Sequence, residues 1–232
     1  MMKNFALVVC IGVLTVNAMP VYAAGGDDPL LSSLIVEELE WREDDELVWD
    51  AEVWLGKDRD KLWLKSEGER ADSSTEEFET QALYNRAISA FWNLRAGWRG
   101  DWQPEQRRSL FALGVAGLAP GFIKTELTAF IADGRSSVRL KGQYELLLTQ
   151  HFKLVPKLET NWYSDADLAN SRGDGFTDLE LSLRLHYQVR PELMPYVGLS
   201  YTALYGDTGD YVEVEGDRDR NLQVLAGLSF WF

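Results

Sequence analysis

Cysteine is nearly missing from this chain. Cys10 is the only one in 232 residues, and it sits in an N-terminal stretch that reads as a removable leader. The remainder of the chain therefore carries no thiol, which excludes disulfides and thiolate metal sites. Long apolar runs are missing too: beyond the leader, nothing approaches the roughly 18 continuous apolar residues of a membrane helix. Cationic residues are scarce, 23 Lys and Arg against 37 Asp and Glu, for a formal charge of −14. Phosphate binding needs clustered cations, so no nucleic-acid partner is expected. Imidazole is limited to His151 and His186, and Met194 is the only thioether beyond the leader.

The leader itself has a basic start, Met1-Met2-Lys3, and an apolar run "FALVVCIGVLTV" from Phe5 to Val16. Pro20 comes next, with Val21 and Ala23 placed for cleavage before Ala24. That pattern predicts a secretory signal peptide over 1–23 and a single mature domain over 24–232.

What the mature part does have is alternation. In "LELSLRLHYQV", Leu179, Leu181, Leu183, Leu185 and Tyr187 share one face of a strand, while Glu180, Ser182, Arg184, His186 and Gln188 share the other. Similar segments recur near 46–56, 61–70, 76–88, 91–102, 109–118, 122–132, 136–149, 152–164, 175–189, 193–205 and 220–232. Most have the 9–11 or more residues that a tilted membrane strand requires. A weaker segment, Ser33 to Trp41, precedes them, with Glu37, Glu38 and Glu40 loading both of its faces with acid.

The connections alternate in character. "GKDRD", "SA", "LAPG", "QH" and "RPE" are tight, whereas the ones between them are more polar and often longer, up to "YGDTGDYVEVEGDRD". Short periplasmic turns and longer outer loops mark outer-membrane barrels, and nine tryptophans fit aromatic girdles at the lipid interfaces. The chain ends on Phe232, closing the alternating run "NLQVLAGLSFWF". The expected fold is all-β: a closed, antiparallel transmembrane barrel of twelve strands in outer-membrane lipid, both termini periplasmic. The leucines face lipid and the charges line the lumen.

Inward positions then include Asp50, Glu52, Lys65, Glu67, Glu69, Arg95, Arg99, Lys124, Glu126, Arg139, Lys141, Glu145, Lys157, Glu159, Asp178, Glu180, Arg184 and His186. Mixed charge in a narrow lumen implies ion pairing between strands. If the segments around 152–164 and 175–189 pair evenly, Glu159 faces Glu180 and Lys153 faces His186. A facing carboxylate pair near an imidazole offers ligands to a divalent cation. The competing reading is a histidine held in a lumen hydrogen-bond network, with Lys153, Lys157 and Arg184 already neutralising the acids. No catalytic residue is expected: Ser182 and His186 share a face but lie about 13 Å apart along a strand.

In addition, the stretches "DPLLSSLIVEELEW", "KLWLKSEGER", "LYNRAISAFWNLRAGWR", "GVAGLAPGFIKTELTAFI", "YELLLTQ", "TDLELSLRL" and "PYVGLSY" run in order from Asp28 almost to Phe232. On them the chain resembles the copper resistance protein B family of the bacterial outer membrane. The resemblance implies a barrel in copper tolerance, with copper ions as its cargo and a periplasmic multicopper oxidase as a companion. Many members carry a long methionine- and histidine-rich segment before the barrel, where this chain has only "AGGDD", and a histidine is common where this chain has Gly100. The copper ligands expected here are His186, Glu180 and Glu159, with Met194 just past the Pro191 turn. Imidazole and carboxylate suit Cu(II) better than Cu(I). The alternative function is an outer-membrane channel or structural barrel for a non-metal solute.

Overall fold

The computed structural model describes residues 29–43, 46–71, 74–102, 107–132, 134–165, 173–209 and 219–232. The expected signal segment 1–23 lies outside the described residues, as does most of the two longest loops. The strands are β1 (Leu31–Arg42), β2 (Leu47–Gly56), β3 (Asp60–Ala71), β4 (Ser74–Ala87), β5 (Trp92–Trp102) and β6 (Arg107–Ala119). They continue with β7 (Ile123–Ala132), β8 (Arg135–Gln143), β9 (Leu146–Leu147), β10 (Phe152–Tyr163), β11 (Gly175–Tyr187), β12 (Leu193–Leu204) and β13 (Arg220–Trp231).

All pairings are antiparallel between successive strands, and β13 returns to pair with β1. The closing seam includes reciprocal backbone bonds between Leu34 and Phe232, each 2.8 Å. A closed sheet leaves no unpaired backbone edge, the condition for crossing hydrocarbon with strands.

The thirteen segments make twelve strands, because β8 and β9 occupy one register on β10. Gln143 faces Lys157 and Leu146 faces Leu154, so the offset is unchanged across the gap. Pro156 explains the gap. The Tyr144 N–H donates to the Pro156 carbonyl at 3.1 Å, but the proline nitrogen has no hydrogen to return the bond. A proline inside a spanning strand is accommodated by giving up one rung of the ladder.

The side chains are sorted opposite to a soluble sheet. Along β11, Leu181 and Leu183 are 41% and 44% exposed, while Ser182, Arg184 and His186 between them are buried. Exposed apolar residues cover the outer wall, with Trp41, Trp102 and Trp162 towards one end and Phe91, Phe152, Tyr187 and Trp231 towards the other. Such bands match the aromatic girdles of membrane barrels.

Loop lengths are less regular than the sequence pattern predicts. Turns 57–59, 88–91, 120–122, 148–151 and 188–192 close the end that holds both termini. At the other end, two residues separate β3 from β4 and two separate β7 from β8, while 164–174 and 205–219 are long. The asymmetry rests on those two loops.

β1 differs from simple alternation. Its pairing shifts by one residue between Val36 and Glu38 against β2, and between Val36 and Glu40 against β13. A bulge inserts one extra residue and re-aims the side chains beyond it. Glu37 and Glu38 therefore both line the interior, and Glu40 is fully buried. The acid that alternation would place in lipid is turned inward.

Candidate functional site

The lumen is filled from two sides. One wall is apolar: Leu83, Ala112 and Phe130 are buried together, with Trp63 and Leu110 packed on them. Arginines lie over these rings, Arg99 at 4.2 Å from Phe130 and Arg95 at 4.8 Å from Trp63. Stacked guanidinium keeps its planar donors free for carboxylates.

The remaining volume is crossed by ion pairs, several of which join strands far apart in sequence. Arg139 on β8 reaches Glu67 on β3 at 3.3 Å, Glu79 on β4 at 3.0 Å and Glu159 on β10 at 3.3 Å. Lys141 bonds Glu67 at 2.7 Å. Lys157 on β10 donates to Glu38 on β1 at 2.6 Å, and Arg184 on β11 binds Glu38 at 3.1 Å and Glu40 at 2.8 Å. Lys65 takes Glu52 at 3.2 Å and Glu126 at 3.6 Å, and Arg95 takes Glu126 at 2.8 Å. Buried charges persist only when paired in this way.

The expected register is present: Glu159 faces Glu180, and Lys153 faces His186. The facing carboxylates, however, are occupied. Glu159 pairs with Arg139 and, at 3.4 Å, with Lys141. Glu180 pairs with Arg42 at 3.1 Å and accepts from the Ser200 hydroxyl at 2.9 Å. The partners differ from those the sequence suggests: Lys157 and Arg184 serve Glu38 and Glu40, and Lys153 serves Glu145 at 3.5 Å.

His186 is not near that pair. It lies six residues from Glu180 on one strand, which is about 20 Å of extended chain. Glu159, Glu180, His186 and Met194 thus do not form one coordination shell. Among the described residues, no three His, Asp or Glu side chains gather as a metal-binding group.

His186 and Met194 do meet elsewhere. Both line a cavity of about 480 Å³ at the mouth that holds the chain termini, with Glu37, Lys124, Glu145, Lys153 and Arg184 also on its wall. Tyr196 faces His186 across β11 and β12, their ring centres 4.5 Å apart. Met194 stands two residues before Tyr196 on the same inner face, so it is the diagonal neighbour of His186. His186 is 8% exposed, and its Nε2 is buried without a hydrogen-bond partner. A buried polar atom left unmatched in a polar cavity calls for an explanation. An imidazole and a thioether on the wall of one cavity are donor types that suit copper. His151 is placed in the 148–151 turn, exposed, its ring 6.3 Å from Tyr187.

Sequence reasoning missed Glu37, Glu38 and Glu40 as lumen groups. The signal available was the excess acid itself: three glutamates in four residues cannot alternate into lipid, so a bulge is the remaining solution.

Comparison with known proteins agrees with this architecture. The model of the family described as copper resistance protein B precursor matches residues 30–232. Copper resistance protein B of Escherichia coli is 41% identical over 203 residues, covering 86% of this chain and 69% of that one. The copper resistance protein B homolog of Pseudomonas syringae pv. tomato is 38% identical, covering 89% and 71% respectively. Among solved structures, the NanC porin superposes with a TM-score of 0.54 at 12% identity, over 86% of this chain and 99% of that one. The KdgM porin with oligogalacturonate gives 0.50 at 12% identity, over 87% and 99%. The porins share the barrel fold alone, whereas the family match extends across nearly every strand. The chain belongs to the copper resistance protein B family.

Proposed function

We propose that this barrel serves copper resistance by binding copper ions at its terminus-side mouth, which faces the periplasm. The supporting observation is His186, which lines the mouth cavity together with Met194 and whose Nε2 is buried without a hydrogen-bond partner. Copper is the cargo, and the chain's own residues supply only ligands and fixed charge, without catalysis. A periplasmic multicopper oxidase is the companion that the family resemblance implies, and the open mouth is where copper would pass between the two. The ion pairs across the lumen favour local binding over free diffusion through the barrel.

The test is a deletion strain complemented with wild type or His186→Ala, together with metal analysis of the purified barrel. Selective copper sensitivity that wild type corrects and His186→Ala does not, with bound copper lost from the variant, is the expected result. Full correction by His186→Ala with undiminished copper content would refute it. A second reading, a structural barrel, is favoured by the paired carboxylates; it predicts a deletion phenotype in envelope permeability with no copper selectivity.

A further inference from the structure

The mouth cavity also bears on which ion is taken. Resting on the copper-binding reading above, we propose that His186 Nε2 and Met194 Sδ hold one soft monovalent ion, Cu(I), and that the site rejects divalent metals.

Three observations carry this. The first is the donor set. His186 and Met194 are diagonal neighbours on the inner faces of β11 and β12, one offering imidazole nitrogen and the other thioether sulfur. Both donors are neutral. Thioether is a soft ligand that favours Cu(I) and adds little for Zn(II) or Cu(II).

The second is that the nearby carboxylates are occupied. Glu145 is bound by Lys124 at 2.8 Å and by Lys153 at 3.5 Å. Glu38 is bound by Lys157 at 2.6 Å and by Arg184 at 3.1 Å. Glu37, the other carboxylate on the cavity wall, stands on β1, three strands round from β11. A divalent ion seeking four or more hard donors would have to break an existing ion pair to obtain one. A monovalent ion content with two or three soft donors would not.

The third is fixed charge. Lys153 lies directly opposite His186 on β10, and it shares its single carboxylate, Glu145, with Lys124. Lys153 and Arg184 both set positive charge beside His186, and Glu145 is shared between two ammonium groups. A fixed positive charge repels a dication twice as strongly as a monocation at the same distance. The histidine is also 8% exposed, so water screens that difference poorly. The geometry thus removes Glu159 and Glu180 from the ligand set, and the preference between oxidation states reverses with them.

The experiment uses the full barrel in detergent, titrated with Ag(I) as a redox-silent monovalent probe, with Cu(I) under anaerobic reducing conditions, and with Cu(II) and Zn(II). One Ag(I) or Cu(I) per chain is expected, with the divalent ions at least about 100-fold weaker. Met194→Leu should lower Ag(I) affinity at least about tenfold and leave Zn(II) unchanged. Lys153→Met, which relieves the repulsion and leaves Glu145 held by Lys124 alone, should raise Zn(II) affinity about tenfold. Heat-dependent gel migration verifies that each variant is folded. X-ray absorption of Cu(I)-loaded wild type gives an independent readout, a copper–sulfur distance that requires Met194. Divalent binding as tight as Ag(I), Ag(I) binding undiminished in Met194→Leu, or no sulfur at the copper would each overturn the proposal while leaving copper binding in place. Binding of none of the four ions would overturn the copper-binding reading as well.

Discussion

Arg139 pairs with three lumen carboxylates, as Lys65 and Arg42 do, and its removal gives a sharp test of the ion-pair lattice. Its guanidinium touches Glu67, Glu79 and Glu159 between 3.0 and 3.3 Å, and its Nε donates to Asn161 at 3.0 Å. At an effective dielectric of about 20, each contact near 3 Å corresponds to about 5 kcal/mol of attraction. Most of that sum is cancelled by the desolvation of the four charged groups. The net effect of deleting one partner is the cost of stranding the others, about 3–5 kcal/mol for a buried pair.

Some of that cost is absorbed, because each acid keeps another cation. Glu67 retains Lys141 at 2.7 Å, Glu79 retains Arg99 at 2.9 Å, and Glu159 retains Lys141 at 3.4 Å. Arg139→Met should therefore destabilise the barrel by about 3 kcal/mol, the lower end of that range. Arg139→Met combined with Glu79→Gln and Glu159→Gln should recover at least half of the loss, since the stranded charge is gone. The assay is the denaturant midpoint of the purified barrel, read by tryptophan fluorescence and heat-dependent gel migration. A single variant within about 1 kcal/mol of wild type, or a triple variant no better than the single, would refute the charge argument.

The barrel wall gives two more expectations. Leu183→Arg puts a charge on the lipid face and should cost about 2–4 kcal/mol if the site is near the bilayer midplane; normal stability and assembly in vesicles would contradict the assigned lipid face. Pro156→Val restores the missing rung with Tyr144 and should add about 0.5–1.5 kcal/mol of stability. A lower melting point for that variant would mean the break between β8 and β9 has another cause.

The lipid-facing stripe of β11 and the strand inventory were legible because alternation is a local property with a period of two residues. The even pairing of β10 with β11 was legible for the same reason: facing runs of matched pattern fix one another's register, so Glu159 against Glu180 and Lys153 against His186 are implied by the sequence. Even the distance between His186 and Glu180 was present in the sequence as a six-residue spacing along one strand. The β1 bulge was visible only as a conflict, three acids on two faces, and it took both neighbouring strands to show which way the extra residue turns. Pairs between directly facing residues, such as Glu52 with Lys65, follow from register, but the partners that acids take across the lumen were not legible. Closure of the cylinder brings β8 across to β3 and β10 across to β1, and those meetings depend on barrel diameter and strand tilt rather than on neighbours in the chain. That is why Arg42 on β1 holds Glu180 on β11, whereas the partners of Glu159 come from the neighbouring strand β8, with Lys141 directly opposite it. The meeting of His186 with Met194, by contrast, follows from the β11–β12 hairpin register, which places the residue two before Tyr196 diagonally from His186.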